Sequence, residues 1–179
     1  MSSATVTTSN MELSPMIVKY GPTGSLVDLG GTLGNVVISA KYTKAEIKAD
    51  QSGTTVRDRR VSGVEVTVTT EVAEIQNKDI WKIVFPHATE TGTGTSGTIA
   101  FNQNIGDSDL GNAKVLVLHP ESKSTLDVTG SYIFYKAVAS AESSITYGPT
   151  EQSKLKIVWN ILPDESQVPN RFFTFGSET

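Results

Sequence analysis

The sequence predicts a mainly β protein, a β-sandwich or barrel with one flanking α-helix and one long inter-strand loop. Three observations carry that expectation. Hydrophobicity alternates with a period of two over much of the chain, β-branched and aromatic residues fall in short runs, and a single segment shows helical spacing. With 179 residues, 37% of them hydrophobic, the chain can bury a sizeable core as one domain over residues 1–179. About the first 13 residues read as a flexible, arm-like N-terminus.

In chain order, PMIVKY is the first strand candidate. In NVVISAKYTKAEIKA the apolar positions are Val36, Ile38, Ala40 and Tyr42, then Ala45, Ile47 and Ala49, with Ser39, Lys41, Glu46 and Lys48 pointing the other way. The alternation changes phase near Thr43, as a kink or bulge there requires. VEVTVTTEV places Val64, Val66, Val68 and Val72 on one face and Glu65, Thr67, Thr69 and Glu71 on the other, the pattern of a half-buried antiparallel strand. Between these two strands lies DQSGTTVRDRRVSG, residues 50–63, which holds three of the four arginines of the chain. A connection of about a dozen residues exceeds the two to five usual for a hairpin. It reads either as a solvated loop, with Arg59 and Arg60 weakly paired to Asp50 or Asp58, or as a docking loop. Next, Ala73, Ile80, Trp81 and Val84 fall at helical spacing ahead of Pro86, which predicts an amphipathic helix over residues 74–85. TETGTGTSGT is a loop or hairpin tip, and AKVLVLHP, SYIFYKAVAS, SKLKIVWNIL and RFFTFG are further strands. Trp81 and Trp159 sit in apolar periodic segments and are expected to be buried or half-buried.

Composition narrows the function. The formal charge of −4 offers phosphate no general attraction. The absence of cysteine excludes disulfides, thiol catalysis and thiolate zinc sites. The N-terminus lacks the basic and apolar parts of a signal peptide, and no run approaches the roughly 20 apolar residues of a membrane span, so a soluble chain without a leader is expected. In GTGTSGT, Gly92 and Gly97 have phosphate-loop spacing, but Thr98 stands where a lysine must reach the phosphates. In GDSDLGN, Asp107 and Asp109 are spaced as in a calcium loop, yet the glycine is one position early and no bidentate acid follows. His87 and His119 sit beside prolines with no second ligand at metal spacing and read as surface or loop histidines. No serine lies in a nucleophile elbow. The expectation is a protein that is not an enzyme and needs neither cofactor nor metal.

One ordered series of residues is specific. VDLGGTLGNVVIS, then AEIKADQSGTTVRDRRVSGVEVTVTTEVAEI, then an amphipathic helix, resembles the major tail protein, or tail tube protein, of long-tailed bacteriophages. The matching positions are Asp28, Leu29, Gly30, Gly34, Lys48, Asp50, Gln51, Gly53, Thr54, Thr55, Asp58, Gly63, Glu71 and Glu74. Downstream, KVLVLHP, KIVWNILPD and FTFG are similar to the family's later strands, so the resemblance spans roughly residues 26–176. The glycine-rich stretch at residues 92–97 and the extra arginines beside Asp58 depart from the pattern.

The resemblance implies a subunit that assembles into hexameric rings stacked as a hollow tube through which DNA leaves the particle. It implies the virion tail as location, assembly in the host cytoplasm, and tape measure, tail terminator and baseplate or tip proteins as partners, with a sheath in contractile members. DNA would pass without specific binding, and no membrane is involved. A DNA-free injection tube shares the subunit design, and a solitary β-sandwich binding module is the alternative from another class. Under the tube reading, Asp50, Gln51, Gly53, Thr54, Thr55, Arg57, Asp58, Arg59 and Arg60 form the inter-subunit or ring-stacking loop, whose arginines meet a neighbour's carboxylates. Ser39, Lys41, Glu46, Lys48, Glu65, Thr67, Thr69 and Glu71 are then the lumen-facing row, because the alternating row is claimed by apolar side chains that need a core.

Overall fold

The computed structural model describes residues 14–48, 54–92, 97–102, 105–124, 127–140, 142–166 and 169–176. Eleven strands and two short helices follow in the order β1 (Met16–Gly21), β2 (Val27–Asp28), β3 (Val37–Lys48), β4 (Val56–Val72), α1 (Lys78–Val84), β5 (Ala88–Thr91), β6 (Thr98–Phe101), α2 (Asp109–Asn112), β7 (Lys114–Pro120), β8 (Tyr132–Ala139), β9 (Ser144–Thr146), β10 (Lys154–Leu162) and β11 (Phe173–Phe175). The chain is mainly β, as its period-two patterning predicts.

Nine strands form one antiparallel sheet in the order β2-β1-β7-β8-β10-β4-β3, with β9 paired to β10 and β11 to β8. From β2 to β4 this order closes on itself, leaving β3 outside the closure. β2 pairs with β1, and the chain just beyond it crosses to the end of β4: Thr32 bridges Val72, the Leu33 amide donates to the Glu71 carbonyl at 2.9 Å, and the Ala73 amide donates to the Gly31 carbonyl at 2.9 Å. Residues 27–33 thus close β1, β7, β8, β10 and β4 into a barrel. The architecture is the barrel alternative, and closure removes the edges that these inner strands would otherwise expose.

The barrel interior takes one side of each strand. Val66, Val68, Thr70 and Val72 of β4 alternate inward against Leu155, Ile157, Trp159 and Ile161 of β10, all buried, with Val18, Leu116, Leu118 and Phe134 from the other strands. Trp159 is fully buried, its ring centroid 4.5 Å from that of Tyr20, and its indole N–H donates to Thr70 Oγ1 at 2.9 Å. Buried aromatic polar tips need such partners. The Tyr20 hydroxyl donates to the Ala137 carbonyl at 3.0 Å, and burial pushes its pKa far above the ordinary phenol value, so it remains a donor.

The helix is shorter than the sequence predicts. α1 spans Lys78–Val84, because Asn77 caps it by accepting the Asp79 amide at 3.1 Å, Ala73 is tied to Gly31, and the Asn77 amide closes a turn on the Glu74 carbonyl. Ile80 and Val84 press onto the barrel core, while Trp81 donates its indole N–H to the Ile75 carbonyl at 2.8 Å. The β5–β6 hairpin packs on α1 through stacked and edge-on contacts among Trp81, Phe85 and Phe101. Residues 93–96 at its tip lie outside the described residues. A second helix, α2, occupies the stretch considered as a calcium loop: Ser108 caps it, and Asp107 lies 3.3 Å from His87 Nδ1. His119 is not a surface residue. It is buried on β7, bonded to Ser131 Oγ at 2.8 Å and to the Lys123 carbonyl.

Strands β10 and β11 run in the same direction along β8, β10 against residues 136–139 and β11 against residues 132–134. They occupy one sheet position interrupted by the excursion of residues 163–172. Asp164, in that excursion, accepts from Ser166 and pairs with Lys136 at 3.3 Å; the Ser166 hydroxyl first, then its amide and Lys136, hold the Asp164 carboxyl below the usual carboxylate range.

Candidate assembly surfaces

Strand β4 outruns the barrel. Its pairing with β10 ends at Val66 opposite Ile161, whereas its pairing with β3 continues to Val56 opposite Lys48. Residues 56–65 and their partners on β3 therefore leave the body as a two-stranded ribbon, roughly 30 Å long at about 3.4 Å per residue. Among the described residues no strand pairs with the outer edge of β3, nor with the β10-side edge of β4 over residues 56–65. Nearly every ribbon side chain is exposed, including Tyr42 at 60% and Val61 at 55%.

This geometry corrects the reading of residues 50–63 as a long loop. Arg57, Asp58, Arg59 and Arg60 belong to β4, and Thr54 and Thr55 lead directly into it. Asp50, Gln51 and Gly53 lie outside the described residues. The ribbon has no buried face, so its strand carries no period-two signal and its sequence looks like that of a loop.

The register assigns the faces. Thr43 lies opposite Gly63 and Lys44 opposite Val61; Ile47 lies opposite Asp58 and Lys48 opposite Val56. The extra residues are Ser62 and Arg57, both on β4, so the expected irregularity near Thr43 is a bulge in the partner strand. Ser62 Oγ donates to the Thr43 carbonyl at 3.2 Å. Strand β3 itself alternates without interruption. Ser39 and Lys41 share the outward face of the barrel wall with Glu65, Thr67, Thr69 and Glu71, whereas Glu46 and Lys48 lie on the opposite face, with Tyr42 and Ile38. The eight residues expected in one row are thus six and two. Ion pairs mark the division: Lys41–Glu65 at 4.0 Å on the outward face, and Arg59–Glu46 at 3.3 Å with Lys48–Glu46 at 3.1 Å on the other. Arg60 and Asp58, 3.7 Å apart, return to the outward face.

Pairing with β10 and β9 extends the outward face to residues that sequence reasoning left out. Lys156 lies opposite Glu71, Ser144 opposite Lys156, and Thr146 opposite Lys154, whose Nζ is 2.7 Å from Glu71 Oε2. The pairing joins segments more than 80 residues apart, and no local pattern reports it. The only available signal was the alternation of Lys154 and Lys156 with Leu155 and Ile157.

The ordered series of residues from Asp28 to Glu74 has a physical core where the barrel closes. Asp28 Oδ1 accepts the Gly30 amide at 2.9 Å, and Gly30 holds φ +81° with the Glu74 carboxylate against it: a Cβ there would stand 2.3 Å from Glu74 Cδ. Gly34, at φ +75°, faces Glu71 in the same way, with Oε2 3.1 Å from a Cβ position.

No protein-family model matches the chain, and no curated protein matches it. Among solved structures, the fold is similar to a chain from the "Tail of empty GTA particle computed with helical refinement, C6 symmetry". The TM-score is 0.48 and the identity 9%, over 90% of this chain and 96% of that one.

Proposed function

We propose that this chain is a structural, non-catalytic subunit of a phage-type tail tube, forming hexameric rings that stack into a conduit for DNA. The observation that carries the reading is the ribbon of β3 and β4. A lone two-stranded hairpin is at best marginally stable in water, and a long open strand edge invites pairing. Among the described residues nothing covers either edge or either face of this ribbon, so neighbouring copies are its natural support. An association that uses a ribbon on one side and a barrel wall on the other is heterologous, the type that builds rings where the rotation closes. The ordered residue series supports the same reading, since Asp28, Gly30, Gly34, Glu71 and Glu74 meet at the barrel closure.

The ribbon arginines serve as inter-subunit contacts in this reading, and the outward face of β3 and β4 as the lumen wall. Each exposed ion pair contributes only about 0.2–1 kcal/mol, but six symmetry-related copies act together. Tape measure, terminator and tip proteins are the proposed partners, and the tail of the particle the proposed location. A solitary binding module finds less support, because Trp159 is fully buried and Trp81 is half-buried with its N–H committed to Ile75.

Negative-stain microscopy tests the proposal. The full chain at high concentration is expected to form rings or tubes. A variant with residues 44–62 replaced by an Asn-Gly turn, which joins the paired Thr43 and Gly63, is expected to stay folded and monomeric. A full chain that is monomeric at every concentration, or tubes built from the shortened variant, overturns the reading.

A further inference from the structure

We infer that the outward face of β3, β4, β10 and β9 is a charge-compensated surface over which duplex DNA passes without being held or repelled. The inference rests on the tube reading and adds how the wall treats its cargo. Every carboxylate on this face has a basic partner from the same chain: Glu65 with Lys41 at 4.0 Å, Asp58 with Arg60 at 3.7 Å, and Glu71 with Lys154 at 2.7 Å. Lys156, opposite Glu71, adds one further cation. Among the described residues that the register places on this face there are thus four cations and three carboxylates, net +1, although the whole chain carries −4. The remaining positions include the hydroxyls of Ser39, Thr43, Thr67, Thr69, Ser144 and Thr146.

The separations within these pairs are shorter than the Debye length of about 8 Å at physiological salt, so a phosphate a few ångströms away meets a dipole more than a charge. A wall of unpaired arginines would release counterions and bind the duplex, and unpaired carboxylates would repel it. Pairing each acid locally avoids both while keeping the wall wetted.

Fluorescence anisotropy of a 20-base-pair duplex against the purified full chain, at 50 and 200 mM salt, tests this. Wild type is expected to bind weakly, with a shallow salt dependence. Glu65→Gln with Glu71→Gln raises the face to net +3, and neutralising about two more phosphates should increase the gain in affinity from 200 to 50 mM salt roughly 12-fold over wild type. Glu65→Gln alone touches only an exposed pair, so it leaves the fold intact and should give roughly 3.5-fold. Glu90→Gln, which removes one of the two carboxylates beside Lys82 on α1, away from this face, and leaves Asp79 at 2.7 Å, raises the net charge equally but should add no such gain. Steep, tight binding by wild type, an unchanged slope in Glu65→Gln, or an equal gain from Glu90→Gln overturns the inference. Because these titrations read the subunit, their failure is distinct from a failure to form tubes.

Discussion

At the scale of the residue, the barrel closure depends on two glycines that face carboxylates. At φ +81° any L side chain costs roughly 1–2 kcal/mol, and at Gly30 the added Cβ also collides with Glu74. Gly30→Ala is therefore expected to lower unfolding stability by about 2 kcal/mol or more, read by urea or thermal melting. Gly31→Ala, with open space around its Cβ position and no positive φ, should stay within about 0.5 kcal/mol of wild type. Equal losses at both positions would show that general crowding, not the left-handed turn against Glu74, fixes the glycine. The sequence displays Asp28, Gly30, Gly34, Glu71 and Glu74 as an ordered series, but that they meet is a fact of the closure, which joins residues 31–33 to the far end of β4. Trp159 shows the same limit. Its burial follows from an apolar run, whereas its hydroxyl partner, Thr70, sits where alternation calls for an apolar side chain.

Among elements, legibility follows burial. Strand β10 and the inner half of β4 have one buried face, and their sequences predict both strands and, for β4, the side that faces the core. The outer half of β4 has no buried face, so Arg57, Asp58, Arg59 and Arg60 look like loop residues although they lie in the strand paired with β3, Arg57 at a bulge. The phase change near Thr43 is legible in β3, but a sequence does not say which strand bears the extra residue. That choice decides on which face Glu46 and Lys48 fall. Inserting one alanine between Thr43 and Lys44 would place a residue opposite Ser62, restore a regular register and turn the outer ribbon over. The barrel is expected to melt as in wild type, because the ribbon packs little against it, while tube formation is lost. Tubes of normal length from the insertion variant would show that assembly ignores the outer faces of the ribbon.

For the whole molecule, charge and exposure are both unevenly placed. The outer ribbon gathers Lys44, Lys48, Arg57, Arg59 and Arg60 against Glu46 and Asp58, a local excess of positive charge on an acidic chain. Copies of the chain therefore attract one another through unlike regions, and burying the ribbon should stabilise each subunit by mass action. The melting temperature of the full chain is expected to rise with protein concentration, by the equivalent of about 2.7 kcal/mol at 100 times the dissociation constant. The ribbon-shortened variant should melt at one temperature throughout, and equal behaviour of the two chains would place the assembly contacts elsewhere. The topology also sets an order of events during synthesis. Strands β3 and β4 are neighbours in sequence and can register once residue 72 has been made. Strand β1 must wait for β7, and the inner half of β4 must wait for β10. On a chain emerging from the ribosome, the assembly ribbon is thus complete before the barrel that carries it, and Lys44, Glu46, Lys48 and Arg59 guard its open edges against stray strands until the last third of the polypeptide arrives.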